Sequence, residues 1–270
     1  MAALLRLVHP APAAAVVSLS GALAAILSDQ AGTSPISPCV VLVTLSVLGS
    51  QIVTGAMNDW ADRERDAVTQ PAKPIPAGEA GPAAALGLAG FGLVLQVAAS
   101  LPLGSAALVI GLVAVGSAVA YNLWLSRTAA SFVAYLVSFG LLPVWIAAGV
   151  GVSFERVAVA SVLVGPFAVA AHLANTLKDL DGDAAAGSGN LAQRLGKAKA
   201  TTLAVVLAAG VGVGAGIGLA ADGRLGLYSA LLGAVGLLAV AQGARGAHRL
   251  WGGILVAAVS WTAAWALATG

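Results

Sequence analysis

Long stretches of the chain carry no charge. Residues 30–58, 80–126, 128–154, 157–177, 200–221, 225–244 and 250–270 contain no Asp, Glu, Lys or Arg, and the polar residues between them come in short clusters. Each such run has room for one apolar helix of about 20 residues, and the longest for two, divided at Pro102, Gly104 and Ser105. The pattern predicts nine helical spans, at roughly 11–28, 39–57, 82–101, 104–121, 129–150, 157–176, 200–221, 226–243 and 250–268.

Composition fixes the solvent of these helices. The chain is 59% hydrophobic and 9% charged, where soluble domains carry about 25% charged residues. Inside a bilayer every backbone polar group must find a partner within the chain, so an all-α integral membrane protein is expected. The 34 glycines suit close helix–helix approach in lipid. Only Arg6 precedes the first span, which is read as a retained helix rather than a cleaved leader. The single cysteine, Cys39, has no partner for an internal disulfide and reads as a small apolar helix residue. A net charge of +2 says little about partners, and no nucleic-acid module is visible.

Basic residues give an orientation. One face would hold Arg6 and the loops after spans two, four, six and eight, with 11 of the 13 basic residues; the other has Arg156 and Arg224. That split puts the amino-terminal end on the cytoplasmic side and the carboxy-terminal end outside.

Against this background one polar pattern occurs twice. Asn58, Asp62 and Asp66 are four residues apart, and so are Asn175, Asp179 and Asp183, at a constant offset of 117 (58 to 175, 62 to 179, 66 to 183). Seven of the 11 acidic residues lie in the two patches: Asp59, Asp62, Glu64, Asp66, Asp179, Asp181 and Asp183. The offset spans four predicted helices, an even number, which returns the chain to the same membrane face. The expectation is one domain over 1–270, made of two parallel four-helix pseudo-repeats (about 1–128 and 129–243) with a ninth helix at 250–268.

Residues four apart on a helix share a face. Asn58, Asp62 and Asp66 thus form a stripe, flanked by Asp59, and His172, Asn175, Asp179 and Asp183 form a second. Clustered carboxylates repel unless cations are bound. Oxygen ligands favour a hard ion such as Mg²⁺, which commonly bridges one or two carboxylates to a substrate phosphate. One divalent-metal site shared by both stripes is expected, with Asp59, Asp62, Asp66, Asp179 and Asp183 as candidate ligands. Arg63 and Glu64 read as solvated charge.

These residues resemble a known pattern. Asn58-Asp59-Trp60-Ala61-Asp62-Arg63-Glu64-Arg65-Asp66 is similar to the N-D-x-x-D-x-x-x-D signature of the UbiA superfamily of intramembrane prenyltransferases. Pro71-Ala72-Lys73-Pro74-Ile75-Pro76-Ala77-Gly78 resembles the family's R-P-x-R-P-I-P-S-G stretch, and Asp179-Leu180-Asp181-Gly182-Asp183 its D-x-x-x-D signature. Leu191-Ala192-Gln193-Arg194-Leu195-Gly196, after Gly187, is similar to the end of G-x-x-T-L-A-x-R-L-G, and Tyr121-Asn122-Leu123-Trp124-Leu125-Ser126-Arg127 to an aromatic-to-basic stretch after the fourth helix. The resemblance implies nine helices around a central cavity with cytosolic cap loops. It also implies Mg²⁺ held by the catalytic residues Asp62, Asp66, Asp179 and Asp183, with Asn58 and Asn175 in support. A prenyl diphosphate would put its chain in the cavity and its head at the cytoplasmic end, where metal and basic residues stabilise the departing diphosphate. Excluding water would protect the allylic carbocation.

Lys73, Arg127, Lys178 and Arg194 are the basic candidates for the diphosphate, although Arg194 also fits a loop anchor. Gln70 and Lys73 stand where relatives often carry Arg, Thr176 replaces an acidic residue of some relatives, and Ala77 replaces a common Ser. His172 fits a base or acceptor contact and equally a packed histidine. Tyr121 fits a diphosphate or cation contact, or an interfacial anchor. Trp60, Trp124, Trp145, Trp251, Trp261 and Trp265 fit interface anchoring.

Three functions follow. The first is a Mg²⁺-dependent transferase joining an isoprenoid diphosphate to a lipophilic acceptor, aromatic or quinone-like. The second is a membrane terpene cyclase that ionises the same substrate without an acceptor. The third, a cation transporter or structural protein, fits worse, because transport needs ionisable groups near the bilayer midplane. The expected partners are prenyl diphosphate, acceptor and membrane lipid, with no nucleic acid and no obligatory protein partner.

Overall fold

The structure, a computed structural model, describes residues 2–185 and 187–269; the side chains of Asp181, Asp183, Ala185 and Thr269 lie outside the described residues. Regular structure among them is helical throughout. The α-helices are α1 (Ala2–Leu7), α2 (Pro10–Gln30), α3 (Pro38–Thr69), α4 (Pro82–Ser100), α5 (Ser105–Leu123), α6 (Ser131–Gly149), α7 (Ala158–Lys178), α8 (Leu180–Ala185), α9 (Leu191–Ala221), α10 (Leu227–Gly243) and α11 (Ala247–Thr269). Among the described residues eight helical segments are long and apolar enough to cross a membrane, and α10, at 17 residues, is a shorter apolar helix. The nine expected spans therefore appear as eight plus this shorter one.

Local chemistry explains the ends. Pro10, Pro38 and Pro82 each open a helix, where the missing N–H costs nothing. α3 continues past its expected end at 57 because nothing in Asn58–Thr69 breaks a helix; Pro71 then moves Gln70 out of the helical region, to φ −141° and ψ 60°. α9 starts earlier than expected because the Asn190 side chain caps it, accepting from Gln193 N–H at 3.0 Å. Gly196 interrupts α9 at φ 75° and ψ 159°, a backbone state that only glycine takes without strain.

The chain forms two compact units, Met1–Ser126 with Leu141–Ser161, and Arg127–Gly140 with Val162–Gly270. In the first, α3 packs on α2, α4 and α5. Its seam with α4 is built of small residues, as helix contacts in lipid require. Gly49 lies against the backbone of Gly92 and Gln96, and Ser46 and Ser100 share a buried hydrogen bond of 2.6 Å. Trp145 is 2% exposed and packs with Val47, Ala107 and Ala114, in the space that Gly111 leaves open. It is a core residue, which corrects its reading as an interface anchor.

In the second unit α9 presents Ala200, Ala204 and Ala208, one face at four-residue spacing, to a core containing Leu173, Leu250 and Ile254. Trp261 fills the space above Gly212 and Gly236, donates its indole N–H to the Gly233 carbonyl at 3.1 Å and meets Phe167 edge-on. It too is packed.

Gly49 supplies a test of this packing. A Cβ there would lie 2.6 Å from the Gln96 backbone nitrogen, and backbone cannot rotate away. Gly49→Ala is expected to destabilise the chain by about 1–3 kcal/mol, seen as a lower melting temperature in detergent. Gly87→Ala, where a Cβ meets open space, should not lower it.

Candidate functional site

The last turns of α3 bury three carboxylates. Asp59, Asp62 and Asp66 are 2%, 3% and 0% exposed, and burial without a partner would cost each several kcal/mol, of order 3–5. Each has a cation. Arg65 donates to Asp62 Oδ2 at 2.7 Å. Lys73 Nζ lies 2.7 Å from Asp66 Oδ2 and 3.1 Å from Asp59 Oδ1. His9 Nε2 is also 3.1 Å from Asp59 Oδ1.

Asn58 extends the set. Its side-chain NH₂ donates to Asp62 Oδ2 and to Asn122 Oδ1, each at 3.3 Å, and Asn122 in turn donates to the Thr54 carbonyl at 2.9 Å. A run of amides thus ties the stripe to α5 and fixes the Asp62 carboxylate.

The loop after α3 brings Lys73 back over the stripe. Its turns are closed by Lys73 N–H to the Gln70 carbonyl at 3.0 Å and Glu79 N–H to the Pro74 carbonyl at 2.9 Å. Arg6 clamps it from outside, pairing with Glu79 at 2.6 Å and donating to the Ala72 carbonyl. Burial pulls the Lys73 ammonium towards neutrality, but its hydrogen bonds to Asp66 and Asp59 and the charges of both carboxylates together outweigh burial, and its pKa is held above the ordinary lysine value.

His9 reaches the stripe by a strained route. Among the described residues it is the one non-glycine in the left-handed region, at φ 54°. The chain there passes so close to α3 that a Cβ on Gly55 would lie 2.8 Å from the Leu7 and Val8 backbone. A cleft of about 290 Å³ opens beside the imidazole, lined by Arg6, His9, Pro10, Asp59, Lys73 and Pro74 among others.

Three hard oxygen donor groups on one helix face suit Mg²⁺ by chemistry. Asp66 Oδ1 is buried and has no hydrogen-bond partner, so one carboxylate oxygen in the stripe is uncommitted. Among the described residues no three His, Cys, Asp or Glu side chains gather closely enough to hold a metal ion. The stripe is instead closed on protein cations. A Mg²⁺ ion using one or two carboxylates and substrate oxygens fits this donor set better than a cage made wholly of protein.

The second set differs from the first. α7 ends at Lys178 and α8 starts at Leu180, so Asn175, Asp179 and Asp183 do not share one continuous helix, which corrects the expected second stripe. Asn175 is half-buried, Asp179 is exposed in the break, and the side chains of Asp181 and Asp183 lie outside the described residues. Lys178 sits over the Trp251 ring, 4.6 Å from its centroid. His172 is packed: its Nε2 is 3.0 Å from the Ser131 hydroxyl, and its ring stacks on Tyr135 at 4.4 Å.

Of the remaining candidates, Tyr121 is half-buried near the end of α5. Arg127 is exposed, and its carbonyl accepts from Gly189 N–H at 3.1 Å. Arg194 donates to the Gly189 carbonyl at 3.3 Å, the loop-anchoring alternative. The structure adds Arg6, His9, Arg65 and Asn122. A polar Asn within a charge-free run was the available signal for Asn122; for His9 no local motif existed.

A family model described as the UbiA prenyltransferase family matches residues 17–249. None of the curated proteins compared with the chain matches it. Solved structures do. A UbiA homologue from Aeropyrum pernix K1 in its apo form is 20% identical with a TM-score of 0.73, over 93% of this chain and 96% of that one. A UbiA homologue from Archaeoglobus fulgidus, bound to GPP and Mg²⁺, is 16% identical with a TM-score of 0.68, over 99% of this chain and 100% of that one. A digeranylgeranylglyceryl phosphate synthase structure is 16% identical with a TM-score of 0.74, over 99% and 97%. At these identities the likeness is one of fold.

The Arg6 clamp carries a prediction. Its pair with Glu79 is about half exposed, and such pairs contribute about 0.2–1 kcal/mol. Arg6→Ala should free the Lys73 loop and raise cleavage after Glu79 by a glutamate-specific protease up to about fivefold. The cleavage rate in detergent, native against variant, checks it.

Proposed function

Because the chain belongs to the UbiA prenyltransferase family, we propose that this integral, multi-pass membrane protein transfers the prenyl group of an isoprenoid diphosphate to a lipophilic acceptor of aromatic or quinone type. The observation that carries the reading is the stripe of three buried carboxylates at the polar end of an apolar helix, with Asp66 Oδ1 uncommitted. The Archaeoglobus relative, bound to GPP and Mg²⁺, supports the choice of ligand and ion.

In this reading Asp59, Asp62 and Asp66 of the first set, and Asp179 and Asp183 of the second, are the carboxylates that would hold Mg²⁺. The bound ion would neutralise the diphosphate and make it a better leaving group. Asn58 and Asn122 hold the Asp62 carboxylate in place through the amide run that ends at Thr54. Lys73, Arg127 and Lys178 are the bases for the diphosphate oxygens, with Asn175 and Tyr121 beside them in sequence. The C–O bond breaks, its electron pair leaves with the diphosphate, and the acceptor's electron pair forms the new bond to the allylic cation as the acceptor gives up a proton to the departing diphosphate. Apolar helix faces keep water from it. The distribution of basic residues favours an orientation with these groups on the cytoplasmic side.

Purified protein in lipid, given Mg²⁺ and C10, C15 or C20 prenyl diphosphates, should release pyrophosphate only with an acceptor and yield a prenylated adduct. A cyclised hydrocarbon or terpene alcohol formed without an acceptor would overturn the transferase assignment in favour of a cyclase. Asp62→Ala and Asp179→Ala should each lower kcat by at least about a hundredfold, the order of loss when the stabilisation that the held ion would give the leaving diphosphate is removed. Full activity in either variant, on protein that elutes and melts normally, would sink the requirement for both sets.

A further inference from the structure

We infer that Lys73 is a resident counter-ion that occupies the first carboxylate stripe in place of the divalent metal, so that metal entry and the Lys73–carboxylate contacts exclude one another. The inference rests on the reading of the stripe as a Mg²⁺ site and adds to it a residue that sets the affinity of the metal-free protein.

The geometry supports exclusion. One ammonium lies within 3.1 Å of Asp59 Oδ1 and 2.7 Å of Asp66 Oδ2. These carboxylates stand seven residues apart, on one face of α3, and Lys73 bridges the outer pair while Arg65 holds Asp62 between them. Lys73, Arg65 and His9 between them face all three carboxylates. A divalent ion seated on Asp59 Oδ1 and Asp66 Oδ2 would take the two oxygens that the ammonium holds, and one of the two must leave.

The surroundings permit the exchange. The Lys73 backbone stays put, because Arg6 clamps its loop at Ala72 and Glu79. Only the side chain has to turn, and it lines the cleft beside His9 and Asp59, from which an ion reaches the same carboxylate. Asp66 Oδ1, buried and without a hydrogen-bond partner, is left unsatisfied by the single ammonium contact on Oδ2. Displaced from the stripe, the ammonium is released for an anionic substrate.

The test uses the full chain in detergent, without prenyl diphosphate, with Mn²⁺ as probe and the loss of its free EPR signal as readout. Apparent affinity falls by the fraction of time the stripe is open to the ion, and an open fraction of about one-tenth weakens binding about tenfold. Lys73→Met should therefore bind Mn²⁺ about tenfold more tightly than the native chain, Lys73→Arg should stay near native, and Asp66→Asn added to Lys73→Met should remove the gain. The melting temperature is a second measure: Lys73→Met should melt below the native chain in EDTA, and millimolar Mg²⁺ should raise it by more than it raises the native chain. Equal or weaker Mn²⁺ binding in Lys73→Met, or equal Mg²⁺ shifts, overturns the counter-ion role and leaves the metal site standing. No Mn²⁺ binding by native or variant protein, with or without geranyl diphosphate, overturns the metal site and this inference with it.

Discussion

Carboxylates withdrawn from water on an apolar helix must be met by cations or donors, and the first unit is arranged around that requirement. Asp59, Asp62 and Asp66 are almost wholly buried, and an uncompensated charge there would cost as much as a large fraction of a domain's stability. Pro71 ends α3 and turns the chain so that Lys73 returns to the stripe. Gly55 lets the start of the chain approach so closely that His9 reaches Asp59, at the expense of a left-handed backbone. Asn122 and Asn58 complete the shell around Asp62. Each of these features is arbitrary alone; together with Arg65 on Asp62 they give each of the three carboxylates a partner.

The packing that holds this shell obeys a different rule. Lipid gives apolar side chains little reason to prefer one another, so helices adhere where backbones come close and surfaces interlock. Gly49 and Gly92 do this for α3 and α4, and Gly243 and Gly253 for α10 and α11, where a Cβ would strike the facing backbone. The same logic explains two tryptophans. Trp145 and Trp261 are large, but each lies over glycine, and the ring fills what the missing side chains leave. Placement near a predicted helix end suggests the membrane interface; the glycines opposite, distant in sequence, decide otherwise.

Local signals are the legible ones in this chain. Charge-free runs locate the membrane helices, since length and hydropathy are summed along one segment. The first stripe is legible because Asn58, Asp62 and Asp66 stand on uninterrupted helix. Asn175, Asp179 and Asp183 share that spacing, yet the helix breaks at Asp179, with Gly182 and the glycines at 187 and 189 close behind. Spacing of four predicts a shared face only while the helix continues. Partners are the illegible part. That Lys73 sits on Asp59 and Asp66, that His9 crosses 50 residues to Asp59, and that Asn122 holds Asn58 all depend on tertiary approach, and no periodicity encodes that.

The pairing of the bases bears on how a diphosphate would be received. Lys178 rests on the Trp251 ring, a contact of about 0.5–1 kcal/mol at a partly exposed site, and a doubly charged oxyanion competes with that easily. Lys73 is held by two buried carboxylates, and taking it away leaves Asp66 without its cation and Asp59 with His9 alone, which a diphosphate does not repair because its charge has the same sign as theirs. In the proposed site the two lysines are therefore unequal: Lys178 is able to follow the substrate, whereas Lys73 follows only once another cation has taken its place on Asp59 and Asp66. A metal that neutralises the stripe and a base that answers the substrate become one linked event. The weaker basic character of this loop, with Gln70 and Lys73 at positions where relatives often carry arginine, is then compatible with ionising the same substrate, because the charge that matters at the stripe arrives with the ion.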